Sequence, residues 1–150
     1  MQATVVSSWN DFDPLKHAIV GRADFTCIPP SEPATEAKVP DDSDMRGMWG
    51  PRPLRTIEQA NQQLDELVGI LEGRGIRVDR PEPIQWNQAT ITPDFTTGSM
   101  FGCMPPRDVL LTVGKEILSA PMSFRCRYWE YLAYHSLMQR YFDEDPHFRW

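Results

Sequence analysis

Residues 101–117 read FGCMPPRDVLLTVGKEI. A thiol, Cys103, and an adjacent cation–carboxylate pair, Arg107 and Asp108, stand at the mouth of an apolar run. Two chemistries are open to such a group. A cysteine whose pKa is lowered by a histidine, a helix N-terminus or a cation is a nucleophile. A carboxylate at a strand end can hold a cation, and with a guanidinium it makes two parallel charge-assisted hydrogen bonds. The first chemistry has little support at Cys103. Arg107 is near, but His17, His135 and His147 are all distant in sequence. A lone cysteine in apolar surroundings is commonly a small buried hydrophobe. Cys27, beside Ile28-Pro29-Pro30, and Cys126, between Arg125 and Arg127, offer no better nucleophile. Asp108 has two readings: half of an Arg-Asp surface pair or turn cap, or a cation-binding carboxylate. Asp94, after Pro93, reads as a turn-starting aspartate. The histidines lack metal-ligand spacing, and neither a glycine-rich phosphate loop nor a nucleophile elbow around Ser7-Ser8 is present.

The elements that must position Asp108 follow from pattern. Residues 109–113, VLLTV, are continuously apolar, as in a strand buried on both faces. Gly114-Lys115 suits a tight hairpin turn with glycine first, and EILSA can return as the partner strand. From about Arg125 to Phe142 one helix is expected, with Trp129, Leu132, Ala133, Leu137, Met138 and Tyr141 along one side. Upstream, HAIV (17–20) reads as a buried strand ending at Gly21. A long irregular loop follows, rich in proline and carrying Asp41, Asp42 and Asp44; its core is 27–54. A loop of that length is often functional. Thr56 and Gln59 have capping-box spacing at the head of an amphipathic helix, which Gly73 and Gly75 end. IRVDR (76–80) then alternates as a strand. Strand, loop, helix, strand, strand, strand, helix is an α/β or α+β order.

Composition bounds the partners. The 150 residues suggest a single domain, 1–150, or part of a larger one. The net charge of −6, from 21 acidic and 15 basic residues, argues against nucleic acid, whose binders carry basic patches. Three unpaired cysteines argue against a disulfide framework or a zinc site. The absence of a signal-peptide pattern and of a long apolar run leads to the expectation of a cytoplasmic protein that engages no membrane.

Several motifs carry a resemblance. VSSWNDFDPLKHAIVGRAD (6–24), TPDF (92–95), MPPRDVLLTVGKEILSAPM (104–122) and RCRYWEYLAYHSL (125–137) resemble, in order, blocks of the glycine amidinotransferases, with a flavour of the cyanobacterial-toxin type. The resemblance covers nearly the whole chain apart from the loop, but only the N-terminal portion of the family's length. It implies an α/β pentein fold, a five-bladed propeller of ββαβ modules, here incomplete. It implies transfer of an amidino group from arginine to an amine, glycine above all, giving guanidinoacetate and ornithine through an amidino-cysteine intermediate. No cofactor or metal is implied, and a homodimer would fit the full-length form.

Of the family's functional positions one carries over: the aspartate after arginine that binds the substrate guanidinium, here Asp108. No catalytic residue is assigned within these residues. The nucleophilic cysteine and the catalytic aspartate and histidine belong to later blocks, so Cys103 is not expected to be the nucleophile and the chain alone is expected to be inactive. Two other readings remain: a non-catalytic truncated module serving as a partner or binding chain, and a guanidine-hydrolysing pentein of the arginine deiminase type. The aromatic end, with Phe148 and Trp150, reads as cut rather than finished.

Overall fold

The computed structural model describes residues 4–44 and 46–150. In chain order the elements are β1 (His17–Ile19), β2 (Cys27–Ile28), α1 (Pro33–Glu36), β3 (Gly50–Pro51), α2 (Leu54–Glu72), β4 (Arg77–Asp79), β5 (Thr90–Ile91), β6 (Thr96–Thr97), α3 (Pro106–Val109), β7 (Leu110–Val113), β8 (Glu116–Ser119) and α4 (His135–Glu144). Two 3₁₀ turns, Arg125–Arg127 and Glu130–Tyr134, precede α4. The architecture is α/β. β1 and β4 pair in parallel, His17 opposite Arg77, and α2 provides the long crossover that parallel strands require. The other ladders among the described residues are antiparallel pairs, β2–β3, β5–β6 and β7–β8.

α2 starts earlier than its capping-box pattern predicts. Pro53 holds the N-cap position and makes no side-chain cap, so Thr56 lies inside the first turn. A proline with φ −54° is already set for helix entry, which makes the Thr56–Gln59 box unnecessary. The C-terminal end follows the glycines. Gly75 takes φ +76°, its N–H reaches Glu72 O at 2.8 Å, and the Ile76 N–H reaches Leu71 O at 3.1 Å. That is the paired hydrogen-bond pattern of a Schellman cap, which needs a left-handed residue. The apolar stripe of α2 is only half covered: Leu64, Val68 and Leu71 are partly buried, while Leu67 and Ile70 face solvent.

Two expectations fail in the second half. VLLTV is not buried on both faces. Val109 and Leu110 enter the core, but Leu111, Val113 and the cross-strand neighbour Leu118 are 55%, 53% and 48% exposed. The physical reason is that the hairpin packs its Leu110–Ile117 side inward, and no described element lies over the other side. The helix from Arg125 is also interrupted, and regular α-helix begins only at His135. Here Arg127 and Glu130 lock at i,i+3, and Tyr128, Trp129 and Tyr131, poor helix formers, stack on one another as edge-on or tilted rings. Leu132 is left 40% exposed, off the expected stripe.

The core joins Trp86, Met100, Cys103, Val109, Ile117, Tyr134, Met138 and Tyr141. Gly21 marks a close approach: a Cβ there would lie 2.0 Å from the Met104 carbonyl, where Arg22 bridges Cys103. The span 27–54 is largely irregular, with its neck closed by β2 and β3 and one helical turn within it. The aromatic end is tied in rather than loose. Phe148 is 3% exposed against Tyr141 and Phe142, the Ile117 N–H reaches Arg149 O at 2.9 Å, and Trp150 Nε1 donates to Ser119 Oγ at 2.7 Å. Among the described residues no helix is long and apolar enough to cross a membrane.

Candidate functional site

Asp108 sits in α3, a single turn entered through Pro106, which delivers the chain into β7. The Arg107–Asp108 surface pair offered by the sequence is weak. Arg107 Nε stands 3.7 Å from Asp108 Oδ1 and its side chain is 92% exposed. The stronger partner comes from a 3₁₀ turn nineteen residues on: Arg127 Nη1 donates to Asp108 Oδ2 at 3.0 Å. Arg127 is in turn gripped by Glu130, with Nε to Oε1 at 2.8 Å and Nη2 to Oε2 at 2.7 Å, the bidentate fork of guanidinium on carboxylate. The Arg127 guanidinium lies 5.5 Å from the Phe101 ring centroid, a cation–π contact.

The electrostatics of this cluster follow from burial. Glu130 is fully buried, which pushes its carboxyl up, while Arg127 pulls it back. Arg127 is held charged, chiefly by its hydrogen bonds to Glu130. The geometry is that of an ionised pair, because a fully buried unpaired carboxylate would be prohibitive. The Asp108 side chain is 34% exposed, and its Oδ1 has only the long 3.7 Å contact to the exposed Arg107. A carboxylate so placed can accept hydrogen bonds from a small cation.

The cysteines are unsuited to nucleophilic attack. Burial pushes the Cys103 thiol up to about 12, and that of Cys126 likewise to about 12. Cys27 is fully buried and raised for the same reason. Asp94 is a turn residue: its N–H and that of Phe95 both reach Thr92 Oγ1, at 3.2 and 3.0 Å. Among the described residues no group of three metal-ligating side chains is brought together.

A second polar cluster escaped the sequence reading. Asp79 of β4 accepts from His17 Nε2 at 2.6 Å, Tyr141 Oη at 2.8 Å and Arg140 Nη2 at 2.6 Å, and pairs with Arg77 Nη2 at 3.0 Å. It adjoins a 740 Å³ hollow between the N-terminal segment and the hairpin, lined in part by Ser8, Lys16, His17, Leu110, Ile117 and Tyr141. Asp108 lies outside this hollow and outside the 590 Å³ one beside the β7–β8 turn. The available signal was a pair of opposite charges, Arg77 and Asp79, two apart and therefore on one strand face.

No family model matches the chain. Among curated proteins, the mitochondrial glycine amidinotransferase of Danio rerio is 38% identical over 142 residues, covering 91% of this chain and 33% of that protein. The L-arginine:L-lysine amidinotransferase of Pseudomonas savastanoi pv. phaseolicola is 39% identical over 145 residues, 95% of this chain and 40% of that one. Among solved structures, SxtG, an amidinotransferase of Microseira wollei in the saxitoxin biosynthetic pathway, superposes with a TM-score of 0.82 at 34% identity, over 97% of this chain and 40% of its own.

Nearly the whole chain is similar to one segment of these amidinotransferases. It spans between a third and two fifths of the length of the curated relatives it matches. Its fold is shared with part of a solved amidinotransferase, so the α/β reading of the sequence and the resemblance drawn from its motifs both hold.

Proposed function

We propose that this chain supplies the guanidinium-recognising wall of an amidinotransferase that moves an amidino group from arginine to an amine, with glycine as acceptor. Asp108 takes the substrate guanidinium. A cysteine outside this chain attacks the guanidinium carbon as thiolate, and the bond from that carbon to the δ-nitrogen of ornithine breaks. Ornithine leaves as the amine. The acceptor amine then attacks the amidino carbon, the carbon–sulfur bond breaks, and the thiolate is regenerated with guanidinoacetate as product. Splitting one substitution into two covalent steps lowers the barrier to each. The fold in this reading is the first part of a single domain, the opening ββαβ modules of a five-bladed propeller, with residues 27–54 an excursion from it. The reading includes a cytoplasmic setting, a homodimeric full-length form and no partner beyond the small substrates.

The observation that carries the proposal is Asp108 itself: Oδ2 is bound by Arg127 at 3.0 Å, while Oδ1 meets only the solvent-exposed Arg107, at 3.7 Å, a contact a substrate guanidinium can replace. The names of the relatives support transfer over hydrolysis, since all three are amidinotransferases, one of them named for lysine and one for a toxin pathway. The test is a product assay. Purified 150-residue chain with arginine and glycine should give no guanidinoacetate. Joined to the remaining length of an SxtG-type relative it should turn over, and Asp108→Ala should abolish activity or raise the arginine KM by about tenfold or more, the worth of hydrogen bonds to a charged group. Undiminished kinetics in that variant would refute the assignment. Lysine in place of glycine tests the acceptor.

A further inference from the structure

Four ionised groups meet at Asp108: Arg107 reaches it only at 3.7 Å from a side chain 92% exposed, where solvent screens its charge, and the other three carry one cation between two carboxylates. Asp108 and Glu130 are carboxylates, and Arg127 between them is the one cation with a close contact to both. Arg127 gives two of its hydrogen bonds to Glu130 and only one to Asp108. Glu130 is fully buried and Asp108 is not, so the surplus negative charge faces outward at Asp108.

We infer that Arg127 and Glu130 are positioning residues for Asp108, and that Glu130 neutralises Arg127 so that Asp108 keeps its negative charge and an Oδ1 held only by the screened Arg107, available to a guanidinium ligand. The inference rests on the reading of Asp108 as the guanidinium-binding carboxylate. Without Glu130, Arg127 and Asp108 would form a closed neutral pair, and an incoming cation would have to compete with a guanidinium already in place. With it, Arg127 serves as a fixed anchor. One edge of its fork is spent on a buried partner, and an Nη1 N–H holds one Asp108 oxygen in a set orientation. Phe101 beneath the guanidinium limits its swing.

The test is binding of L-arginine to the chain joined to the remaining length of an SxtG-type relative, with L-lysine as the non-guanidinium control and circular dichroism as the check on folding. The wild type should bind arginine saturably and Asp108→Asn should not. Glu130→Gln should weaken binding by about ten- to a hundredfold, the range for a charged hydrogen bond. The double variant Glu130→Gln, Arg127→Gln should recover several-fold of that loss, because it returns the negative charge to Asp108. A purely structural role makes the double variant no better than the single one, and that outcome overturns the inference. Glu130→Gln binding like wild type while Asp108→Asn fails to bind overturns it too and leaves the proposed function standing. Wild type without saturable binding, or Asp108→Asn binding normally, overturns both. Should the variants not fold, the wild type decides. On arginine addition the Asp108 carboxylate carbon should shift in NMR while the Arg127 Nε resonance holds still. Movement of Arg127 would mean displacement by the ligand and would defeat the inference.

Discussion

The Asp79 carboxylate lies 2.6 Å from His17 Nε2, joining the two parallel strands β1 and β4 through their side chains as well as their backbones. His17 Nδ1 faces the Val5 carbonyl at 3.1 Å, so the same ring also ties in the N-terminal segment. Burial raises the Asp79 carboxyl, but hydrogen bonds from Tyr141 and His17 and the charges of Arg77 and Arg140 outweigh it and hold the group below the usual range.

A pH dependence follows from the sign of that shift. A carboxyl whose folded pKa is depressed contributes stability in full above its unfolded value, near 4, and loses it as pH falls through the lower folded value. Denaturant midpoints should therefore drop as pH is lowered from about 5 toward 2. Asp79→Asn should destabilise by about 3 kcal/mol at neutral pH, the cost of breaking a buried ionic network, and flatten that acid limb. An unchanged limb in the variant would place the acid sensitivity elsewhere.

The three thiols should be inert in the native state. With Cys103 and Cys126 both pushed up to about 12 and Cys27 also raised and fully buried, the thiolate fraction and the access are both low. Iodoacetamide at pH 8 should label none of them before denaturation and all three after it, read by intact mass. Rapid native labelling of Cys103 would reopen its candidacy as nucleophile.

Gly21→Ala should be destabilising well beyond a surface change. The added Cβ meets backbone carbonyl oxygens of Cys103 and Met104 at 2.5 and 2.0 Å, and backbone cannot step aside as a side-chain tip can. A loss of about 1–3 kcal/mol is expected from overpacking, measured by chemical denaturation.

The outer face of the β7–β8 hairpin should make the isolated chain prone to association. Leu111, Val113 and Leu118 form a contiguous apolar surface on paired strands. Light scattering should report aggregates, and Leu111→Lys with Leu118→Lys should reduce them without lowering the melting temperature. A wild-type monomer with a cooperative melt at high concentration would contradict this.

The legible parts of the molecule were those governed by local rules. The β7–β8 hairpin was readable because a two-residue turn with Gly114 first sets register by itself, and Val113 does pair with Glu116. β1 was readable from its short apolar run ending at Gly21, β4 from alternation, and the end of α2 from its glycines. What failed was whatever depended on a neighbour remote in sequence. VLLTV looks the same whether one face is covered or two. Thr56 is a good cap only if Pro53 has not already begun the helix. The broken helix at Arg127–Glu130 follows from packing of three aromatic side chains, Tyr128, Trp129 and Tyr131, and a buried ion pair that no periodicity reports.

The site divides the same way. Long motifs in register carry the resemblance to the amidinotransferases in one dimension, and the Arg-Asp pair before an apolar run marks Asp108 there as a candidate. Only the tertiary structure decided what Asp108 touches. Its stronger partner is Arg127, at 3.0 Å, against 3.7 Å for the adjacent and exposed Arg107, and Arg127 is governed by Glu130. It also decided that Asp79, written into a strand as one charge among several, is turned inward to meet His17 and Tyr141. Coulomb and hydrogen-bond energies depend on distance in space and on burial, and neither quantity is carried by spacing along the chain.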